Sequence, residues 1–202
     1  MLMETQEITQ LSDLDLSKTY TYADYLQWKF KERIELIKGK IFKMSPAPSS
    51  FHQEISGNIS FALKLFLLKK QCKVFVAPFD VRLTRKSLMD EDVVTVVQPD
   101  VCVICDRSKI DKRGCIGAPD IVVEIISPGN NKTELQNKFE IYEENGVQEY
   151  WIVSPQDKTF LKYTLNQEGV YVASKLLPSD AEVTTPVLPG FILKLEDVFA
   201  ED

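Results

Sequence analysis

Histidine occurs once in this 202-residue chain, as His52, so neither a Ser-His-Asp nor a Cys-His nucleophilic arrangement is visible. The phosphate-cradling pattern GxxxxGK[ST] is absent as well. Long hydrophobic runs are also missing. The longest apolar-rich stretch, residues 55–68, is interrupted by Ser56, Asn58, Ser60 and Lys64, too often for a bilayer span. The opening MLMETQEITQ has neither the basic start nor the apolar core of a signal peptide, and the expected address is the cytoplasm. Basic residues are outnumbered, 24 Lys and Arg against 30 Asp and Glu, giving a net charge of −6. Cysteine is scarce, at positions 72, 102, 105 and 115. A chain of this length buries a core without disulfides, so none is expected. Cys102 and Cys105 have CxxC spacing, but within the strand-like VCVIC they point to opposite faces and read as structural thiols.

The 44% hydrophobic and 27% charged shares are those of an ordinary globular protein, which excludes disordered and fibrous classes. Residues 1–20 read as an N-terminal arm and residues 21–202 as a single domain. Thr21 caps a short helix expected to run to residue 30, and IELIKGKIFKM alternates around Lys38 and Gly39 as a β-hairpin. SPAPSS breaks the chain, and Ser50 with Gln53 opens a helix over about residues 51–70. The β-branched runs KVFVAPFDVRL, VVTVVQPDVCVIC and DIVVEIIS follow as strands. Thr133 with Gln136 opens a second main helix that ends at Gly146, and QEYWIVSP, FLKYTL and EGVYVAS return to strand. Strands around two main helices, with one strand–helix–strand unit, predict a mixed sheet of the α/β or α+β kind.

The chemistry is concentrated on two strands. Asp100 follows Pro99 at the head of VCVIC, and Glu124 sits inside the apolar run IVVEII. A carboxylate there is costly to bury unless a cation neutralises it. That cation is either an Arg or Lys partner or a divalent metal, since hard ions take carboxylates, carbonyls and waters. Asp120, four residues before Glu124, shares its face of the strand. It either supports the site from outside or serves only as the turn residue after Pro119.

The stretches IELIKGKIFKM, SPAPSSFHQEI, VQPDVCVI, GAPDIVVEIISP and NKFEIYEENGVQEYWIV resemble the Uma2 family, part of the PD-(D/E)xK nuclease superfamily. The likeness covers residues 21–165, and its specificity lies in the order PDV, PD-x-x-x-E-x-x-SP and GV-x-EYW. It implies a restriction-endonuclease-like mixed β-sheet flanked by helices. It also implies hydrolysis of DNA phosphodiester bonds by an activated water, with Mg²⁺ or Mn²⁺ as cofactor. Asp100 matches the metal-binding aspartate and Glu124 the acidic member of the (D/E)xK motif, with the carbonyl of Ile125 as a third metal ligand. The lysine of that motif is missing, because position 126 is Ile126. Lys138 matches a lysine moved to the following helix, on the same side as Leu135 and Tyr142. The alternatives are a solvated Lys138 and Lys132 as the rival donor. Glu35 matches a glutamate ahead of the turn glycine, here Gly39, and either completes the site or lies on the polar face of the hairpin. His52 is either a capping or supporting group or part of the site itself.

The acidic balance opposes a nucleic-acid binder unless charge segregates, and Lys64, Lys69, Lys70, Lys73, Lys29, Lys31 and Arg33 are the best material for a local basic face. A homodimer, common among such nucleases, would place two such faces along one duplex. Two other readings stand beside the DNA endonuclease. One is a catalytically idle nuclease-like scaffold or accessory binding protein, and the other is a metal-dependent RNA or repair nuclease on the same core.

Overall fold

A computed structural model describes residues 8–44, 49–127 and 132–201. Residues 45–48 of the expected SPAPSS break therefore lie outside the described residues, as do residues 1–7 of the N-terminal arm. Residues 14–20 pack against the first hairpin: Leu14 is buried, and Tyr20 N donates to the Gly39 carbonyl at 2.9 Å. The first helix, α1 (Tyr22–Tyr25), carries the Thr21–Asp24 capping box but is much shorter than expected. Trp28 stacks on Phe30 and meets Tyr25 at a tilt in an aromatic cluster instead of continuing a helical face.

The hairpin forms as read, with β1 (Ile34–Ile37) antiparallel to β2 (Lys40–Lys43). Lys38 at φ 51° and Gly39 at φ 77° make two consecutive left-handed residues, the turn that suits the right-handed twist of the strands. Prolines divide the next two runs, because proline donates nothing to a sheet ladder. KVFVAPFDVRL becomes β3 (Lys73–Val76) and β4 (Val81–Arg82) on either side of Pro78, and these belong to different sheets. VVTVVQPDVCVIC likewise becomes β5 (Val96–Val97) and β6 (Val101–Ile104) around Pro99. With β7 (Ile110–Asp111) and β8 (Gly114–Ile116), the first sheet has the order β2-β1-β5-β4-β8-β7.

The second sheet adds β9 (Ile121–Ile125), β10 (Glu149–Ser154), β11 (Thr159–Leu165) and β12 (Tyr171–Ala173), in the order β12-β11-β10-β9-β6-β3. Its neighbours are antiparallel except β9 and β10, whose parallel pairing requires a crossover. The second main helix supplies that crossover. A ribbon of β13 (Glu182–Thr184) and β14 (Ile192–Lys194) leads into α4 (Leu195–Val198). The described architecture is thus mixed α+β, with two mixed six-stranded sheets rather than one.

The first main helix, α2 (Ser50–Phe66), is capped by Ser49, whose hydroxyl accepts from His52 N, one residue earlier than expected. It stops short of residue 70, and Lys69 turns left-handed at φ 63°. Ile55, Ile59 and Leu63, four residues apart and fully buried, pack on Val101, Val103, Ile121 and Val123 of the second sheet. Each such side chain contributes about 1.5–3 kcal/mol by leaving water. The alternate residues Cys102, Ile104 and Val122 face the other way, against Ile141 and Tyr142 of α3 (Lys132–Asn145) and Ile37, Val81 and Val97 of the first sheet. Period-two alternation thereby assigns each strand residue to one of two helices.

The cysteines require a correction. Cys72 and Cys105 form a disulfide, whereas Cys102 and Cys115 are free and buried as expected. Lys73 pairs with Ile104, so the residues one step outward, Cys72 and Cys105, face each other across two strand ends. The alternation within VCVIC carries no sign of the neighbouring strand that register brings beside it.

Gly114 is held at φ +127°, where an added Cβ would lie 2.1 Å from the Asp80 carbonyl oxygen. Gly57 in α2 has nothing within 4 Å of that position. Gly114→Ala should destabilise the protein by about 3 kcal/mol or more. Gly57→Ala should stabilise it by roughly 0.5–1 kcal/mol through helix propensity. Urea unfolding of both variants measures the difference, and equal midpoints would remove the close approach of β8 to β4.

Candidate active site

Val101 pairs with Val123, so Asp100 and Glu124 lie side by side one step further along β6 and β9. The Asp100 carboxylate Oδ2 accepts from Ile125 N at 2.8 Å, which ties it to the neighbouring strand. Glu124 points to the α3 side, into the layer that holds Tyr142. There its Oε1 accepts from Lys138 Nζ at 2.9 Å and from the Tyr142 hydroxyl at 2.6 Å. Lys138 and Tyr142 are one helical turn apart, which brings both onto the same carboxylate. Glu35, the second residue of β1, completes the cluster, with Oε1 3.2 Å from Lys138 Nζ and 2.8 Å from the donating Gln98 N.

The described structure thus brings together Asp100, Glu124, Lys138 and Glu35, and Lys138 is buried rather than solvated. His52 joins from the opposite side of the sheet. Its Nε2 lies 3.1 Å from the Ile125 carbonyl oxygen and 3.4 Å from Asp100 Oδ2. A carbonyl can only accept, so Nε2 carries the proton, and the ring orients Asp100 and Ile125 from behind. Asp120 lies elsewhere, its Oδ2 accepting from Cys105 N at 2.7 Å and its Oδ1 from Gln148 Nε2 at 2.6 Å. It clamps the far ends of β6 and β9. Lys132 is exposed on the first turn of α3, not in a loop. Ile126 lies just past β9, its N–H donating to the Val153 carbonyl. Tyr142 is the contributor that sequence reading missed. It read as part of the apolar face, although its place four residues after Lys138 was the available signal.

Burial pushes the Glu124 carboxyl up to about 7, reinforced by the charges of Asp100 and Glu35 and opposed by the Lys138 ammonium. Burial would lower the Lys138 ammonium, but Glu124 and Glu35 outweigh it and hold the group well above its ordinary value. For His52, burial works against the charged ring, yet Asp100 and the Ile125 carbonyl raise its pKa.

Among the described residues, no three His, Cys, Asp or Glu side chains form a ready metal cage. The strand ends offer two carboxylates, side by side by register, and one main-chain carbonyl. Asp100 Oδ1 and Glu124 Oε2 take no donor among the described residues, and a carbonyl keeps a second lone pair beyond the His52 bond. That all-oxygen set suits Mg²⁺, which binds through one or two carboxylates and retains several waters.

A mixed sheet with paired carboxylates on adjacent strand ends, a buried lysine beside them and helices on both faces defines a nuclease-like fold. The Uma2 family model, described as "Putative restriction endonuclease", matches residues 22–196, and the chain belongs to this family. An uncharacterized protein of Synechocystis sp. is 26% identical over 160 residues, covering 78% of this chain and 80% of the relative. The structure of a "putative nuclease belonging to DUF820" from Anabaena variabilis matches with TM-score 0.68 at 22% identity, covering 89% of this chain and 97% of that one. The restriction-endonuclease-like fold expected from the sequence is the one observed. Among the described residues, no helix is long and apolar enough to cross a membrane.

Removing the lysine alone would leave two buried carboxylates without their cation. Lys138→Ala should therefore cost about 3–5 kcal/mol of stability, as breaking one side of a buried ion pair does. Lys138→Met combined with Glu124→Gln and Glu35→Gln should recover most of that loss. Chemical denaturation decides the point, and wild-type stability in Lys138→Ala would mean that the ammonium is not what compensates the two carboxylates.

Proposed function

We propose that this chain is a divalent-metal-dependent endonuclease that hydrolyses DNA phosphodiester bonds with an activated water. The observation that carries this reading is the meeting of Asp100, Glu124 and Lys138, with Lys138 Nζ 2.9 Å from Glu124 Oε1 although motif position 126 is isoleucine. Asp100, Glu124 and the Ile125 carbonyl would hold Mg²⁺, with Mn²⁺ as a substitute. Bound there, the ion would supply Lewis-acid polarisation of the phosphate and lower the pKa of a coordinated water. The family model and the paired carboxylates support this assignment.

The chain's own residues have distinct tasks. Asp100 is oriented by Ile125 N and His52, and Glu124 by Lys138 and Tyr142, so neither carboxylate must reorganise during the reaction. An ammonium has three donors, of which Glu124 and Glu35 engage two. The third is left for an attacking water or a phosphate oxygen. Arg33, two residues before Glu35, donates to Gln98 Oε1 at 2.7 Å and lies beside the strands that carry the cluster. Lys64, by contrast, is twelve residues along α2 from His52, about 18 Å at 1.5 Å per residue. The expected basic face is thus divided, with Arg33 beside the cluster and Lys64 at the far end of α2. A homodimer would align two sites on one duplex.

Asp100→Asn and Glu124→Gln should each reduce metal-dependent plasmid nicking by about 10²-fold or more, and EDTA should abolish it in the wild type. Both replacements keep the shape of the side chain, so Asp100→Asn should leave the fold intact, while Glu124→Gln should stay folded but lose stability because it removes one partner of the buried Lys138 ammonium. Undiminished nicking by both folded variants would remove the assigned site.

A further inference from the structure

Beside the carboxylate cluster lies a cavity of about 270 Å³, walled by Ser49, Phe51 and His52 at the start of α2, by Ser154 at the end of β10 and by Gln156 and Asp157 beyond it. His52 connects the two regions: its ring lines the cavity, while its Nε2 reaches the Ile125 carbonyl and Asp100. The His52 side chain is 6% exposed, and its Nδ1 has no hydrogen-bond partner among the described residues.

Among the described residues the lining combines an aromatic ring, an imidazole, hydroxyls, an amide, a carboxylate and the apolar Ile126 and Pro155, and the nearby Lys158 ammonium, 5.8 Å from the centroid of the Phe51 ring, is engaged by Glu201. A phosphate group belongs with cations and backbone donors, and the Asp157 carboxylate would repel it. A nucleobase fits this chemistry, since every base offers a face for stacking and an edge of donors and acceptors. Asp157 Oδ2 accepts from Ser154 Oγ at 2.9 Å, while Oδ1 takes no donor among the described residues and can accept from a base N–H. The volume falls below the roughly 300–1,000 Å³ of drug-sized pockets, so it suits one ring system and not a base pair.

We infer that this cavity is a subsite for one unpaired nucleobase of the substrate strand, next to the phosphate that is cut. The inference rests on the nuclease reading and adds to it a substrate class. A paired base is stacked and its edge is occupied, so a duplex would have to extrude it, at a cost that single strands and frayed ends avoid. The substrate is therefore single-stranded or locally opened DNA. Phe51 supplies the stacking face, and Asp157 selects an edge that donates, as guanine does.

The test uses the full chain in EDTA, where metal-dependent cleavage is silent, with calorimetric titrations of dGMP, deoxyribose 5-phosphate and inorganic phosphate. dGMP should bind at least about tenfold more tightly than the base-free sugar phosphate, and Phe51→Ala should weaken it by about tenfold. Asp157→Asn, which preserves shape and serves if Phe51→Ala does not fold, should weaken dGMP binding about fivefold and leave the base-free compound unaffected. Equal binding of deoxyribose 5-phosphate, displacement of dGMP by equimolar phosphate, no binding at millimolar dGMP, or unchanged affinity in folded Asp157→Asn would each overturn the subsite. Base-dependent binding by a protein that does not cleave with Mg²⁺ or Mn²⁺ would remove the nuclease reading alone. Cleavage without base-dependent binding would remove the subsite alone.

Discussion

The Lys138 ammonium, enclosed between Glu124 and Glu35, is the interaction on which the remaining arrangement depends. An isolated charge in that layer would be expelled or neutralised, and only mutual compensation lets three charged groups stay below the surface. The pairing joins β1 of the first sheet, β9 of the second and α3 between them. Three distant parts of the chain thus meet at one set of atoms. The Tyr142 hydroxyl and Gln98 N satisfy further lone pairs, so the cluster is hydrogen-bonded as well as charge-balanced.

The sheet places chemistry on both of its faces at one edge of the strands. Glu124 faces α3, whereas the Ile125 carbonyl and Asp100 are reached from the α2 side by His52. The antiparallel register of β6 and β9 makes this possible by aligning a strand's first carboxylate with its neighbour's last. The bond from Ile125 N to Asp100 then fixes the aspartate without a charge. Strand ends are suited to such a task, because their outermost main-chain groups are not all committed to the ladder.

Charge defines how a polyanion could approach. The chain is acidic as a whole, and Lys64, Lys69, Lys70 and Lys73 lie at or just past the far end of α2, where Lys70 sits 3.2 Å over the Phe66 ring. A net charge of −6 opposes broad electrostatic attraction to a polyanion. Stacking and edge contacts in the cavity beside His52 supply a different source of affinity, one that tolerates an acidic surface. The Cys72–Cys105 disulfide closes the opposite end of β3 and β6, next to the residues that lead out of α2. Disulfides persist where thiols are not kept reduced, which bears directly on the cytoplasmic address read from the first residues.

Local chemistry was legible in the sequence. The Lys38-Gly39 turn, the Thr21 cap, the amphipathic stripe of α2 and the strand–helix–strand unit follow from periodicity and turn residues. Glu124 inside IVVEII signalled a buried carboxylate in need of a cation, because apolar neighbours on both sides leave no route to water. Which cation answered it was decided by the tertiary structure. Lys138 is fourteen residues away in sequence, and only the crossover of α3 over β9 turns it inward. Tyr142 looked like an ordinary core aromatic until its hydroxyl had Glu124 as a neighbour. Asp120 and Glu124 share a strand face, yet pairing with Cys105 and Gln148 gives the former a structural task alone. The disulfide and the division of two apolar runs between sheets had the same origin. Local sequence specifies what a segment can form, but register and packing between segments determine which groups meet, and no periodicity within one strand encodes its neighbour.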